Sequence, residues 1–144
     1  MPCIIRFSAP NCDLDAIAAS LDLAIYGLYR QGQLRAAHQP ERGVFMTSGF
    51  QVAASEAPFA DFKQQVTDTL DFIKLNHPAL RRLATAAADL ADSQFLFDFG
   101  ITTRMFKVGA QIDFFPPELV RLVGELGAGL MLSQYPPTEE EKSS

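Results

Sequence analysis

The side chains best suited to chemistry lie close together between residues 30 and 42. They are three arginines and a histidine: Arg30, Arg35, His38 and Arg42. A guanidinium binds carboxylates and phosphates through paired N–H groups, and an imidazole transfers protons near neutral pH. Gly32, Pro40 and mixed polar residues predict a long loop over 31–42. The segment is therefore either an anion site with His38 as a proton-transfer group or a solvated loop, and the second arrangement is the commoner one.

The remaining reactive groups form no recognisable motif. His77 stands at a predicted helix break without a second ligand at a metal-binding spacing. Cys3 and Cys12 are not a Cys-x-x-Cys pair, and we predict free thiols rather than a disulfide or a metal pair. Asp98 and Asp113 could act as an acid–base pair if their sheet face lined a cleft, but a solvated face explains them too. We predict no catalytic residues, no metal and no cofactor.

Composition narrows the class of protein. The chain has 144 residues and a formal charge of −5, which disfavours nucleic-acid binding. It contains no apolar run near the ~20 residues of a membrane span and no signal-peptide pattern at its start. These features predict a cytoplasmic protein without a membrane partner. We expect one domain over 1–135 and a disordered acidic tail over 136–144.

Alternating apolar residues give the clearest strand signal, in 95–101 and again in 106–114. We predict a hairpin that turns at Thr102-Thr103 and pairs Phe99 with Phe106 and Asp98 with Lys107. In that register Phe97 and Val108 both belong to the core, and Lys107 lies on the opposite face.

Helical spacing and proline positions predict the other elements. Apolar residues recur every three or four positions from Phe59 to Ile73 and again from Leu80 to Leu90, with a break at Asn76-His77-Pro78. Pro116-Pro117 begins another helix, and Gly127 ends it. The predicted order is β-α-β-β-α-α-β-β-α-β. This order indicates an α+β fold, related to the ferredoxin-like folds, with a mainly antiparallel sheet and helices on one face.

The arrangement of the whole chain resembles one bacterial family. The features that carry the resemblance are Arg30-Gln31-Gly32-Gln33 in a loop, Ser48-Gly49-Phe50 in a strand, Leu80-Arg81-Arg82-Leu83 in a helix, and the closing helix from Glu118 to Ala128 before a strand that ends at Tyr135. The family is catalogued as domain of unknown function 4279, and its members commonly have Trp at the position of Phe50. The resemblance implies a bacterial, cytoplasmic α+β protein and supplies no catalytic residues.

Two functional hypotheses remain open from the sequence. The first is a non-enzymatic binding protein, for example an immunity-type or regulatory protein with a protein partner, because acidic charge speeds association with basic partners. The second is a small-molecule-binding protein or enzyme with an anion site near the 31–42 loop. The sequence leaves the oligomeric state open.

Overall fold

Five strands and five helices make up residues 2–143, the part of the chain that the structure, a computed structural model, describes. In chain order they are β1 (Cys3–Ala9), α1 (Leu14–Ala19), β2 (Ile25–Tyr29), β3 (Ser48–Ser55), α2 (Phe62–Leu75), α3 (His77–Ala88), β4 (Gln94–Thr102), α4 (Pro117–Glu125), β5 (Gly129–Tyr135) and α5 (Glu139–Ser143). A single 3-10 turn spans Pro40–Arg42.

The strands form one mixed sheet in the order β2-β3-β1-β4-β5. Strand β1 is central and runs antiparallel to both β3 and β4, and β2 runs antiparallel to β3. Only β4 and β5 pair in parallel within the described sheet, and α4 connects them, as a parallel pair requires. The predicted α+β fold with a mainly antiparallel sheet is confirmed. Its relation to the ferredoxin-like folds stays a prediction.

The core lies between one face of the sheet and the helices. On β1, Cys3, Ile5 and Phe7 are at most 1% exposed, while the alternate residues Ile4 and Arg6 are only half-buried. Helices α2, α3 and α4 add further buried apolar side chains to the same cluster, namely Phe62, Val66, Ile73, Leu80, Leu83, Leu119 and Val123. The helices therefore pack on one face of the sheet, and the other face is left to loops.

The break between α2 and α3 and the proline start of α4 lie where they were predicted, whereas α2 begins at Phe62 rather than near Phe59. Asp61 caps α2, its carboxylate accepting a hydrogen bond from the amide of Gln64 at 3.1 Å. Asn76 separates α2 from α3, and Pro117 is the first residue of α4. None of the helices in residues 2–143 is long and apolar enough to cross a membrane. The tail expected to be disordered contains α5, a short helix with no buried residue.

The predicted hairpin is wrong in its second half. Strand β4 forms as expected, but residues 103–116 are a loop that leads to α4. Both edges of β4 are already occupied, because Phe99 pairs with Cys3 of β1 and with Leu132 of β5. A hairpin strand would need one of those edges. Alternation in 106–114 was therefore a misleading signal, since Val108 is 42% exposed.

The loop over 103–116 predicts that truncating Phe97 and truncating Val108 have unequal effects on stability. Phe97 is fully buried, so Phe97→Ala should reduce the free energy of unfolding by about 3–5 kcal/mol through lost burial and a cavity. Val108→Ala should cost less than about 0.5 kcal/mol, because the side chain is already partly in water. Urea unfolding of both variants measures the difference. Equal losses of unfolding free energy in the two variants would indicate that Val108 is buried as the predicted hairpin requires, and would contradict the loop over 103–116.

Candidate functional site

A cleft lies between the sheet face opposite the helices and the loop that follows β2. This loop, residues 30–47, is called the 30–47 loop below. The cleft has a volume of about 390 Å³. Strand residues that face away from the helices form its floor, and Tyr29 and the loop form its walls. The residues that line it include Arg6, Ser8, Tyr29, Arg35, Val44, Phe45, Met46, Thr47, Gln51 and Gln94.

Backbone pairing gives the 30–47 loop a defined shape. The amide of Gly32 donates to the carbonyl of Phe45 at 2.9 Å, and the amide of Phe45 donates to the carbonyl of Gln33 at 2.8 Å. The amide of Arg35 donates to the carbonyl of Gly43 at 3.0 Å. Because these bonds join the two arms of the loop, they fix the backbone at Arg35, whose side chain is exposed.

An aromatic contact attaches the loop to the sheet. The rings of Tyr29 and Phe45 stack with centroids 4.5 Å apart. Tyr29 pairs with Gly49 in the sheet, and a Cβ built on Gly49 would lie 2.5 Å from the Tyr29 hydroxyl and 2.4 Å from the carbonyl of Phe7. Any side chain at position 49 would therefore displace Tyr29. Glycine is required here for close approach, and the wall formed by Phe45 depends on it.

A partly buried ion pair fixes Arg6 in the floor of the cleft. The Nε of Arg6 donates to Asp98 Oδ2 at 3.0 Å, and the hydroxyl of Ser133 donates to Asp98 Oδ1 at 2.6 Å. The Asp98 side chain is only 6% exposed, whereas that of Arg6 is 36% exposed. The carboxylate thus neutralises Arg6 and holds it in place, while the remaining N–H groups of the guanidinium are free to contact a ligand.

The structure brings one of the four predicted site residues into this cleft. Arg35 lines it. Arg30 instead pairs on the surface with Asp15, at 2.7 Å between Nη2 and Oδ1. His38 and Arg42 are exposed and do not line the cleft. The loop predicted from the sequence is therefore next to a cleft, but its arginines and histidine do not converge.

A second distinctive surface is the connection between β4 and α4. We call residues 103–116 the apolar loop. Five of its large apolar side chains are between 42% and 83% exposed, namely Met105, Phe106, Val108, Ile112 and Phe114. A concentration of exposed large apolar side chains in one loop marks a candidate interaction site.

Polar contacts hold the apolar loop in one conformation. Arg104 Nη2 lies 3.3 Å from Asp113 Oδ1, and Gln111 Nε2 donates to Asp113 Oδ2 at 3.0 Å. The side-chain oxygen of Gln111 accepts from the amide of Arg104. At the end of the loop, Phe115 packs edge-on against Phe62 and Phe99, with centroids 5.1 and 5.3 Å apart. The loop is thus closed on itself and anchored in the core.

Several pKa values depart from their ordinary range. Burial raises the pKa of the Cys3 thiol from 9.0 to about 12. Burial also raises the pKa of Cys12 and of the Tyr26 hydroxyl. The hydrogen bond and charge of Lys74 lower the pKa of Glu118. None of these groups lines the cleft, so their shifts reflect packing and surface pairing.

Residues 2–143 contain no cluster of side chains arranged for acid–base catalysis or for metal binding. No group of three or more His, Cys, Asp or Glu side chains in that range could hold a metal ion. The two cysteines there are free, as predicted. Asp98 and Asp113 bond to different partners, Arg6 with Ser133 and Arg104 with Gln111. The Asp98–Lys107 pair expected from the hairpin does not form.

Sequence reasoning missed most of the cleft floor. Arg6 and Ser8 occupy outward positions of an otherwise apolar strand, and Gln51 and Gln94 do the same in β3 and β4. Polar residues at alternate strand positions suggest only a solvated face. The one local signal was Gly49, a glycine inside a strand, which often marks close approach of another group.

Comparison with family models, with curated proteins and with solved structures found no match for this chain. The resemblance to the family catalogued as domain of unknown function 4279 therefore stays a prediction.

The pKa of Cys3 predicts a pH dependence of stability. Its folded value is above the ordinary 9.0, so the native state keeps a proton that the unfolded chain loses. The resulting stabilisation is complete below pH 9 and is lost as the pH rises towards 12, with a slope approaching about 1.4 kcal/mol per pH unit. Urea unfolding between pH 8 and 10.5 should show the steepest slope in the wild type. Cys12→Ala should lose less of that slope than Cys3→Ala, because the pKa of Cys12 is also raised but its thiol is less buried than that of Cys3. Identical slopes in all three proteins would contradict the assignment.

Proposed function

We propose that this protein is a non-enzymatic binding protein that engages a basic protein partner through the apolar loop. The observation that carries the proposal is the exposure of five large apolar side chains within ten consecutive residues, 105–114. Burying such a side chain yields roughly 1.5–3 kcal/mol. Several of them buried together give a partner a hydrophobic anchor of the kind found at the centre of interfaces.

Order in the loop supports this role. A flexible loop must lose conformational entropy when it binds, which weakens the complex. The Arg104–Asp113 pair and the two Gln111 hydrogen bonds already restrict the apolar loop. Phe115 anchors the end of the loop in the core. The exposed side chains are therefore presented on a preorganised backbone.

Charge favours a basic partner. The chain carries a net charge of −5, and α5 begins with Glu139, Glu140 and Glu141. Glu141 and Phe106 border the same small depression, so the acidic helix adjoins the apolar loop. Complementary charge accelerates the encounter of two proteins, and the apolar contact then slows their separation.

An immunity-type protein is the form of this function that we favour. Such a protein blocks a basic toxin domain by covering part of its surface, which needs a small acidic scaffold and no reaction of its own. The proposal places the protein in the bacterial cytoplasm, with no nucleic-acid or membrane partner and no cofactor. It does not require any particular oligomeric state.

Loss of apolar side chains from the loop should abolish partner binding. We expect wild-type protein, immobilised at low salt, to retain a basic protein that Ile112→Ser/Phe114→Ser does not retain, because both side chains are mostly exposed, at 83% and 69%, and contribute little to folding. Affinity capture followed by mass spectrometry identifies the retained protein. Titration of the purified pair by calorimetry then measures its dissociation constant.

The matched control is Leu75→Ser. Leu75 is also 83% exposed, but it is the last residue of α2, whereas the loop contacts the first turn of that helix. This variant should bind the partner as the wild type does. A partner retained equally by the loop variant, or a partner of net negative charge, would refute the proposal.

We also predict that the protein has no enzymatic activity that depends on its histidines. His38 and His77 are exposed, and neither side chain makes a hydrogen bond within the described residues. A nucleophile needs an adjacent base and a group to orient that base. Elemental analysis of the purified protein should find no stoichiometric metal. A hydrolase and transferase screen should find no turnover that His38→Ala removes, and such a turnover would overturn the non-enzymatic interpretation.

A further inference from the structure

The cleft under the 30–47 loop is unusually basic for this protein. Acidic residues outnumber basic ones in the chain, 17 to 12. The cleft nevertheless contains two arginines, Arg6 and Arg35, and neither Asp nor Glu lines it. A cleft lined by one sign of charge attracts ligands of the opposite sign.

Only one of the two arginines carries an uncompensated charge. The Asp98 carboxylate neutralises the charge of Arg6 and accepts the hydrogen bond from its Nε. Arg35 has no ion-pair partner among residues 2–143, and its backbone is fixed by the bond to Gly43. The net charge offered to a ligand is therefore close to one, which matches a single carboxylate better than a doubly charged phosphate.

The rest of the lining is suited to an organic molecule. Val44, Phe45 and Met46 form an apolar wall, and Met46 is 76% exposed. Ser8, Gln51 and Gln94 supply hydroxyl and amide groups on the floor. The volume of about 390 Å³ lies within the usual range for small-molecule sites, roughly 300–1,000 Å³.

From these observations we infer that the cleft is a binding site for a small organic carboxylate with an apolar body. The Arg35 guanidinium pairs with the carboxylate, and the N–H groups that Arg6 does not share with Asp98 provide further donors. The apolar body lies against Val44, Phe45 and Met46. The site is independent of the proposed partner surface, because Gln94 of the cleft is the first residue of β4 and the apolar loop follows the last residue of that strand.

Titration with benzoate, followed by ¹H–¹⁵N correlation spectra of the full-length protein, tests the inference. Benzoate should cause saturable shifts in the amides of the 30–47 loop and of β1 near Ser8. Benzamide, which has the same shape and no charge, should bind at least tenfold more weakly. Phenyl phosphate should bind no more tightly than benzoate, and tighter binding would show that the head group is a phosphate and overturn the assignment to carboxylates.

Two variants in the same loop separate a specific site from general attraction. Arg35→Ala should weaken benzoate binding roughly 10- to 100-fold, as expected when a hydrogen bond to a charged group is lost. Arg42→Ala removes the same charge from an exposed position outside the cleft and should leave binding unchanged. Equal weakening by both variants, or the absence of saturable shifts, would refute the site. Neither result bears on partner binding through the apolar loop.

Discussion

The pairing of β4 on both edges is the constraint on which the rest of this structure depends. Its residues bond to β1 on one side and to β5 on the other. Since β5 runs parallel to β4, the chain has to return to the end of the sheet where β4 begins before β5 can start. It does so through the apolar loop and α4. Had β4 ended in a hairpin, the apolar side chains of 106–114 would lie in the core. The parallel pairing moves them to the surface.

The other face of the sheet depends on a different constraint, which is the absence of a side chain at Gly49. Tyr29 lies over that position and carries Phe45, and with it one wall of the cleft. The buried Asp98 carboxylate plays the corresponding part on the floor, because it fixes Arg6 and accepts a hydrogen bond from Ser133. A buried carboxylate needs such partners, since an unpaired charge would be costly in that environment. One wall and the floor of the cleft are therefore fixed by contacts in the underlying sheet.

The two candidate surfaces lie at opposite ends of one strand. The cleft adjoins Gln94 and the apolar loop follows Thr102, and these two residues are about 27 Å apart along the strand at roughly 3.4 Å per residue. Their chemistry also differs, because one is concave and basic while the other is projecting and apolar. The two surfaces therefore suit different classes of ligand.

Local sequence patterns determined most of the elements of this fold. The break at Asn76, the proline start of α4 and the alternation in β4 all depend on residues close together in the chain, and each was predicted. Tertiary structure decided which strand pairs with which, and therefore whether 106–114 is buried or exposed. It also decided that Arg35, and not Arg30, His38 or Arg42, meets Arg6 across a cleft. The reason is that strand alternation and helix periodicity are properties of a segment, whereas edge occupancy and convergence of side chains depend on parts of the chain up to a hundred residues apart.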